Sequence, residues 1–181
     1  MLIGLFNFQR DAASGEEVKF ALNEAKNRVL SIAMVHQQLY GKSNLSRIDL
    51  KKYIAELTTE VLNTHPLYSH VEVKQNLEEI NIDITKAVPI GLIINEIITN
   101  AFKHAFKDKT IKPVIAIQLR LIKNTVKLTI KDNGSGFPQN FNSSNNSLGH
   151  TLIESLTDQI DGKVAFSNNN GAQVEVSFPV S

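Results

Sequence analysis

Residues 111–132 place the tightest constraint on the fold. IKPVIAIQLRLI and TVKLTIKD each alternate apolar with polar side chains and are joined through Lys123 and Asn124, so they read as an antiparallel hairpin. A period of two puts the apolar side chains of both strands on one face, and that face has to be covered. Further alternating segments lie at 163–167 and 172–179, Val71 and Val73 open another, and 81–83 reads as a short extended neighbour of it. Helices separate these strands. Asp49 caps one with the stripe Leu50, Ile54, Leu57, Val61 and Leu62, a second follows from about Thr85, and a third covers 147–160. Hairpin-linked strands interleaved with amphipathic helices predict an α+β fold, a two-layer α/β sandwich with helices on one face of a mixed sheet.

The first 40 residues follow a different period. Val18, Leu22, Ala25, Val29, Ile32, His36 and Leu39 step by four and three, the spacing of a helix that presents one seam to a partner helix. Ser14 and Glu17 form a capping box for that helix after a turn at 11–15, and 1–9 reads as the end of an earlier helix. The expected organisation is a partial helical hairpin over 1–45, burying its seam in a homodimer, followed by a second domain over 46–181. A chain of 181 residues has room for one core and such an appendage.

Composition removes several function classes. Nineteen basic and eighteen acidic residues leave a net charge of +1, which gives no footprint for nucleic acid or anionic lipid. No apolar run reaches the roughly 20 residues of a membrane span. Without cysteine there is no disulfide, thiol nucleophile or thiolate metal site, and MLIGLFNF lacks the basic lead and cleavage pattern of a secretory signal. The expectation is a cytoplasmic location with no membrane segment in this chain.

Four short segments carry candidate chemistry. In NEIITNAFKHAF, residues 95–106, a helical wheel gathers Asn95, Glu96, Thr99, Asn100, Lys103, His104 and Lys107 on one half. This half is either a solvated helix face or the floor of a site. Two Asn and a Thr are poorer helix formers than the Lys, Glu or Gln that would serve a solvated face equally well. Glu96 and Asn100 lie one turn apart, so both side-chain oxygens can point at one hard cation or its waters, and Lys103 and His104 can meet anionic oxygens. In IKDNGSG the alternation of Val126, Leu128 and Ile130 carries Asp132 inward, while Gly134 and Gly136 allow close approach of something flat or anionic; DNG is also an ordinary turn signal. NNSLGH opens a helix whose free N–H groups at Ser147, Leu148, Gly149 and His150 suit a phosphate, although Ser147 as a plain N-cap explains the same residues. NNGAQVEVSFP turns Ala172, Val174, Val176 and Phe178 inward on a last strand.

The order of RVLSIAMVHQQLY, VPIGLIINEIITNAFKHAF, DNGSGFP, SLGHTLIESLTDQIDG and a final GA-strand resembles the ATP-binding domain of sensor histidine kinases, in the GHKL ATPase superfamily, of the bacterial subgroup with an HHRVKNNLQ-like acceptor motif. The resemblance implies a histidine kinase that holds ATP and Mg²⁺ between sheet and helices under a mobile lid, with residues 137–146 as that lid. It assigns Asn100 to magnesium, Glu96 to a catalytic carboxylate acting through water, and Lys103 and His104 to phosphate. Asp132 would accept from the adenine amino group in a pocket shaped by Gly134 and Gly136. Asn95, Ser147, Leu148, Gly149, His150 and Ala172 complete the ATP-binding set. Partners would be a response regulator or phosphotransfer protein. With no GxxxxGK[ST] segment, phosphate binding would fall to helix ends, the magnesium and isolated cations.

Three departures stand beside it. The acceptor motif is not in the chain and is expected upstream, so the isolated chain should bind nucleotide without labelling itself. His36 sits on the helix seam, His65 and His70 in a loop, and His104 and His150 near the nucleotide, so none replaces the acceptor. Ala172 stands where the family commonly has Thr, and no phenylalanine box precedes the lid. A non-catalytic regulatory module and an anti-sigma-type Ser/Thr kinase are the alternatives.

Overall fold

The computed structural model describes residues 2–39, 47–64, 70–106, 112–138 and 148–180. Two helices, α1 (Leu2–Ala12) and α2 (Glu16–Leu39), form a hairpin ahead of an α/β sandwich. The sandwich contains β1 (Arg47–Asp49), α3 (Leu50–Asn63), β2 (Glu72–Leu77), β3 (Asn81–Asp83), α4 (Ile84–Asn100), β4 (Val114–Ile122), β5 (Thr125–Asp132), α5 (Leu148–Asp158), β6 (Lys163–Asn168) and β7 (Ala172–Pro179). Five strands form one mixed sheet in the order β2-β4-β5-β7-β6, parallel at β2/β4 and antiparallel elsewhere. Lys123, at φ 56°, makes the tight turn that sets Ile122 opposite Thr125.

The strand alternation determines which face is covered. Ile115, Ile117 and Leu119 of β4, Val126, Leu128 and Ile130 of β5, and Val174, Val176 and Phe178 of β7 are buried under the helices with Ile90, Ile93, Ile94 and Ile98 of α4. The opposite face carries polar cross-strand pairs such as Lys127–Glu175 at 2.9 Å. The expected two-layer α+β sandwich is therefore the observed one. Among the described residues, no helix is long and apolar enough to cross a membrane.

Residues 81–83 pair differently from expectation. They lie antiparallel to β1, not beside β2, with Ile48 opposite Ile82 and both fully buried. The last residues of these two short strands, Asp49 and Asp83, cap α3 and α4 by accepting from the N–H of Lys52 at 3.1 Å and Thr85 at 2.8 Å. The two-stranded ribbon thus fixes the starts of both helices while burying an isoleucine pair.

The hairpin also departs from expectation. Helix α2 starts at Glu16 after Gly15 (φ 108°), whose carbonyl accepts from Lys19 N, so the capping position belongs to Gly15 instead of Ser14. Its buried side chains are Lys26, Asn27, Ser31, Met34 and Val35, whereas Val18 and Ile32 of the seam are 49% and 39% exposed. Polar contacts select this face. Asn27 Nδ2 donates to Thr64 Oγ1 at 2.8 Å, and the Tyr53 hydroxyl of α3 donates to the Ser31 carbonyl at 3.0 Å. Tyr53 is fully buried, burial raises its pKa, and Gly91 of α4 leaves room for its hydroxyl where a Cβ would collide with it. Docking of α2 on the sandwich rests on these bonds, and its apolar seam is left for something else.

Candidate functional site

A cavity of about 420 Å³ opens between the helices and the sheet, bounded by α4, the end of β5, the loop after it, α5, β6 and β7. Its apolar wall comes from Ile97, Ile98, Ile115, Ile130, Ile153 and Val174, and its polar rim includes Asn100, His104, Lys131, Asp132 and His150. This combination of apolar lining and a few converging polar groups suits a small organic ligand, for which pockets commonly measure roughly 300–1,000 Å³.

Asp132 is the best-defined polar group in the cavity. Strand alternation carries it inward, and Oδ1 accepts from the backbone N–H of Gly134 at 2.8 Å and of Ala172 at 3.1 Å. No donor among the described residues meets the second oxygen. Burial pushes the carboxyl above its usual range, and the two N–H groups and Lys131 pull in the other direction. One oxygen is thus fixed by the fold and the other remains to accept from a ligand.

The loop after β5 is shaped around this carboxylate. A Cβ on Gly134 would run into the Ala105 carbonyl, so glycine is required by close approach. Gly136 has φ 72°, and a Cβ there would stand 2.6 Å from Asn168 Oδ1. Asn168 of β6 holds the loop through both amide atoms, accepting from Phe137 N at 2.7 Å and donating to Phe137 O at 2.9 Å. Beyond it, Phe137, His150 and Phe166 meet edge to face or tilted, with ring centroids 5.1–5.9 Å apart. Burial lowers the pKa of His150. Asn168 and Phe166 are site residues that sequence reasoning missed, and Phe137 was expected only as the first residue of the lid; the inward phase of β6 was the available signal for Phe166, and none identified Asn168.

The polar half of α4 is divided between two neighbours. After Asn100 the helix widens into a π turn over Ala101–Ala105 in place of the expected regular helix. The carbonyls of His104 and Ala105 accept from Ser135 Oγ at 3.2 Å and Ser135 N at 3.1 Å, which ties this turn to the loop. Asn100 and His104 line the cavity. Asn95, Glu96 and Thr99 are buried, so this half is not a solvated face. Lys103 turns toward α2, pairing with Glu24 at 2.7 Å and lying 4.9 Å above the Phe20 ring. Glu96 Oε2 pairs with Arg28 of α2 at 2.9 Å. Neither Asn95, Glu96 nor Lys103 forms part of the cavity wall.

Comparison with known proteins places this architecture. Residues 1–65 match the histidine kinase family model, and residues 85–181 match the model described as histidine kinase-, DNA gyrase B-, and HSP90-like ATPase. The chain belongs to that ATPase family. It is 25% identical over 180 residues to the sensor histidine kinase PdtaS of Mycolicibacterium smegmatis, covering 97% of this chain and 36% of that protein. The histidine kinase domain of the blue-light activated histidine kinase EL346 from Erythrobacter litoralis superposes with a TM-score of 0.75 at 19% identity, over 87% of this chain and 75% of that one. Serine-protein kinase RsbW of Staphylococcus aureus is 29% identical over 115 residues, 48% of this chain and 72% of its own. The chain thus spans about a third of the length of PdtaS.

An ATPase domain of this family implies ATP, and the cavity can accommodate its base: an apolar slot ends at a carboxylate with one oxygen available. The surroundings of Gly149 test magnesium. A Cβ there would collide with Glu96 Oε1 and stand 3.3 Å from Asn100 Nδ2, so the two side chains converge at the start of α5. Rotating the Asn100 amide would present its oxygen at the same place. Among the described residues no three His, Asp or Glu side chains cluster as metal ligands. Magnesium takes few protein oxygens when phosphates supply the rest, so this pair fits the ion. Ser147 lies outside the described residues, as does most of the expected lid, and Leu148 begins α5.

Proposed function

We propose that this chain is the ATP–magnesium-binding catalytic part of a two-component sensor histidine kinase. It would transfer the γ-phosphate of ATP to a histidine of the parent protein and thence to a response regulator or phosphotransfer partner. The observation that carries the reading is Asp132, whose Oδ1 is held by two backbone N–H groups at the end of an apolar cavity. Its other oxygen would accept from the adenine amino group, with Gly134, Gly136 and Ala172 around the base. Asn100 would bind magnesium, Glu96 would act as catalytic carboxylate through water, and His104, His150 and the N–H groups of 147–149 would face the phosphates. Lys103 would reach them after leaving Glu24, while Asn95 would support the helix from behind. Magnesium supplies charge neutralisation at the transferred phosphoryl group.

Residues 1–45 would be a dimerisation hairpin and 46–181 the catalytic domain, working in the cytoplasm. The exposed side chains of Leu5, Phe8, Val18 and Ile32 support a homodimer of that hairpin. The likeness to a serine-protein kinase favours a second reading, transfer to a Ser or Thr of a partner. Phosphate stability separates the two. The parent protein supplied with γ-labelled ATP should gain acid-labile, alkali-stable label that Asp132→Asn abolishes, whereas acid-stable label on a partner would replace the histidine reading with the serine one.

A further inference from the structure

Helix α2 makes two ion pairs with the site that packing alone does not require. Glu24 and Arg28 stand one turn apart on α2, and they pair with Lys103 at 2.7 Å and Glu96 at 2.9 Å. These are the one lysine and the one carboxylate assigned above to phosphate and to magnesium chemistry, and each is held by the opposite charge from the same helix. The cavity wall includes Asn100 and His104 but neither Glu96 nor Lys103, while Glu96 Oε1 lies next to Asn100 at the start of α5.

The surrounding interface is imperfectly matched. Among the described residues, the buried side-chain atoms without a hydrogen-bond partner are Asn27 Oδ1, Arg28 Nε, Thr58 Oγ1 and Asn95 Oδ1, all on the mutually packed helices α2, α3 and α4. An unpaired buried polar atom opposes the arrangement that buries it. Arg28 itself shows the conflict: one guanidinium nitrogen reaches Glu96 while Nε is buried without an acceptor. The two charge pairs therefore add to the hydrogen bonds of Asn27 and Tyr53 in holding an interface that leaves several polar atoms unsatisfied.

We propose that Glu24 and Arg28 are positioning residues of the nucleotide site, acting through Lys103 and Glu96. While α2 is docked Arg28 occupies Oε2 of Glu96, with Oε1 left beside Asn100, and Glu24 holds Lys103, so magnesium-bound nucleotide would share Glu96 with a cation and gain Lys103 only by displacing Glu24. A divalent ion near Glu96 meets the repulsion of the Arg28 guanidinium, and a phosphate near Lys103 meets that of the Glu24 carboxylate. Magnesium–nucleotide and the docked position of α2 therefore oppose each other, and by linkage a signal that shifts α2 sets the affinity of the site.

This inference rests on the nucleotide reading, and titration calorimetry distinguishes the two. The chain is titrated with a non-hydrolysable ATP analogue in EDTA and in excess MgCl₂, and the ratio of the two affinities is compared between variants. Arg28→Gln should raise the magnesium-dependent gain about three- to tenfold, the scale of a partly screened ion pair, and Arg28→Lys should return it toward wild type. A residue with a merely structural role would lower both affinities together. Glu24→Gln should raise affinity in both buffers by freeing Lys103, and it decides alone if Arg28→Gln leaves Glu96 too poorly compensated to fold. An unchanged or smaller magnesium gain in Arg28→Gln, or no gain in affinity in Glu24→Gln, overturns the competition while leaving the nucleotide reading intact. Absence of binding by the wild-type chain in both buffers overturns both.

Discussion

Replacing Asp132 by Asn changes a single atom's chemistry at the base of the cavity. In the folded chain Oδ1 already accepts from Gly134 N and Ala172 N, and an amide oxygen can keep both bonds. What changes is the second position, where a carboxylate oxygen becomes an NH₂ facing the amino group of an adenine. A charge-assisted bond of about 1.5–3 kcal/mol is lost and two donors are left opposed. At about 1.4 kcal/mol per decade, the affinity for ATP should fall about ten- to a hundredfold. Thermal stability should hardly fall, because the variant also removes a charge whose burial opposes folding. Asp132→Ala should behave otherwise, losing about 1–3 kcal/mol of stability for each backbone N–H left unpaired.

Acid supplies an independent check on the same group. Burial raises the Asp132 pKa above the usual carboxylate value, so the native state takes up this proton more readily than the unfolded chain. The stability it contributes is therefore full below the unfolded pKa and is lost as pH rises through the raised one. Nucleotide affinity runs the opposite way. It requires the ionised acceptor and should weaken as pH falls through that raised value, a limb missing from Asp132→Asn. Calorimetric affinities at several pH values, with melting curves alongside, measure both. Wild-type affinity within twofold in Asp132→Asn, or an identical acid limb in the two proteins, would refute this account of Asp132.

Three further outcomes follow from the packing. Gly149→Ala places a methyl group against Glu96 Oε1 and Asn100, so magnesium-dependent nucleotide affinity should drop more than affinity in EDTA, read by the same titrations. Gly91→Ala drives a Cβ into the Tyr53 hydroxyl and should cost about 1–3 kcal/mol in denaturant unfolding, while Tyr53→Phe alone costs about 1 kcal/mol. The double variant should be more stable than the sum of the two losses implies, because the hydroxyl that collides is gone. His150 has its pKa lowered mainly by burial, so stability should fall as pH drops from the unfolded value of about 6.5 through the lowered one, and His150→Phe should flatten that dependence in unfolding midpoints between about pH 5 and pH 7.

The features legible in the sequence were those governed by a local period. Alternation in TVKLTIKD was enough to orient Asp132 inward, because strand geometry leaves a side chain only two directions. The capping roles of Asp49 and Asp83 depend on a few neighbouring residues, and Asp49 could be assigned before any fold was known. Pairings between distant segments were not legible. Nothing local states that Asn81–Asp83 joins Arg47–Asp49 and not its nearer neighbour β2, or that Asn168 secures both polar atoms of the Phe137 backbone from the far end of the chain. Spacing in α2 identified an apolar stripe for a partner helix but not the face that docks on the sandwich, since Asn27, Ser31 and Tyr53 make that contact through polar bonds that a hydrophobic period does not register.

The helix of residues 95–106 shows most clearly why a wheel is insufficient. It grouped Asn95, Glu96, Thr99, Asn100, Lys103 and His104 as one face and offered two environments for it, solvent or a site. The fold supplies a third, because α2 lies over part of that face, so that His104 lines the cavity while its neighbour Lys103 meets Glu24. A charged carboxylate that is 3% exposed, as in Glu96, is costly without a cation beside it. Arg28 is that cation when α2 is docked, and a magnesium ion can be that cation when nucleotide is bound. On that proposal the helical hairpin and the nucleotide site would be coupled through the charge of Glu96, whose Oε2 meets Arg28 and whose Oε1 faces Asn100.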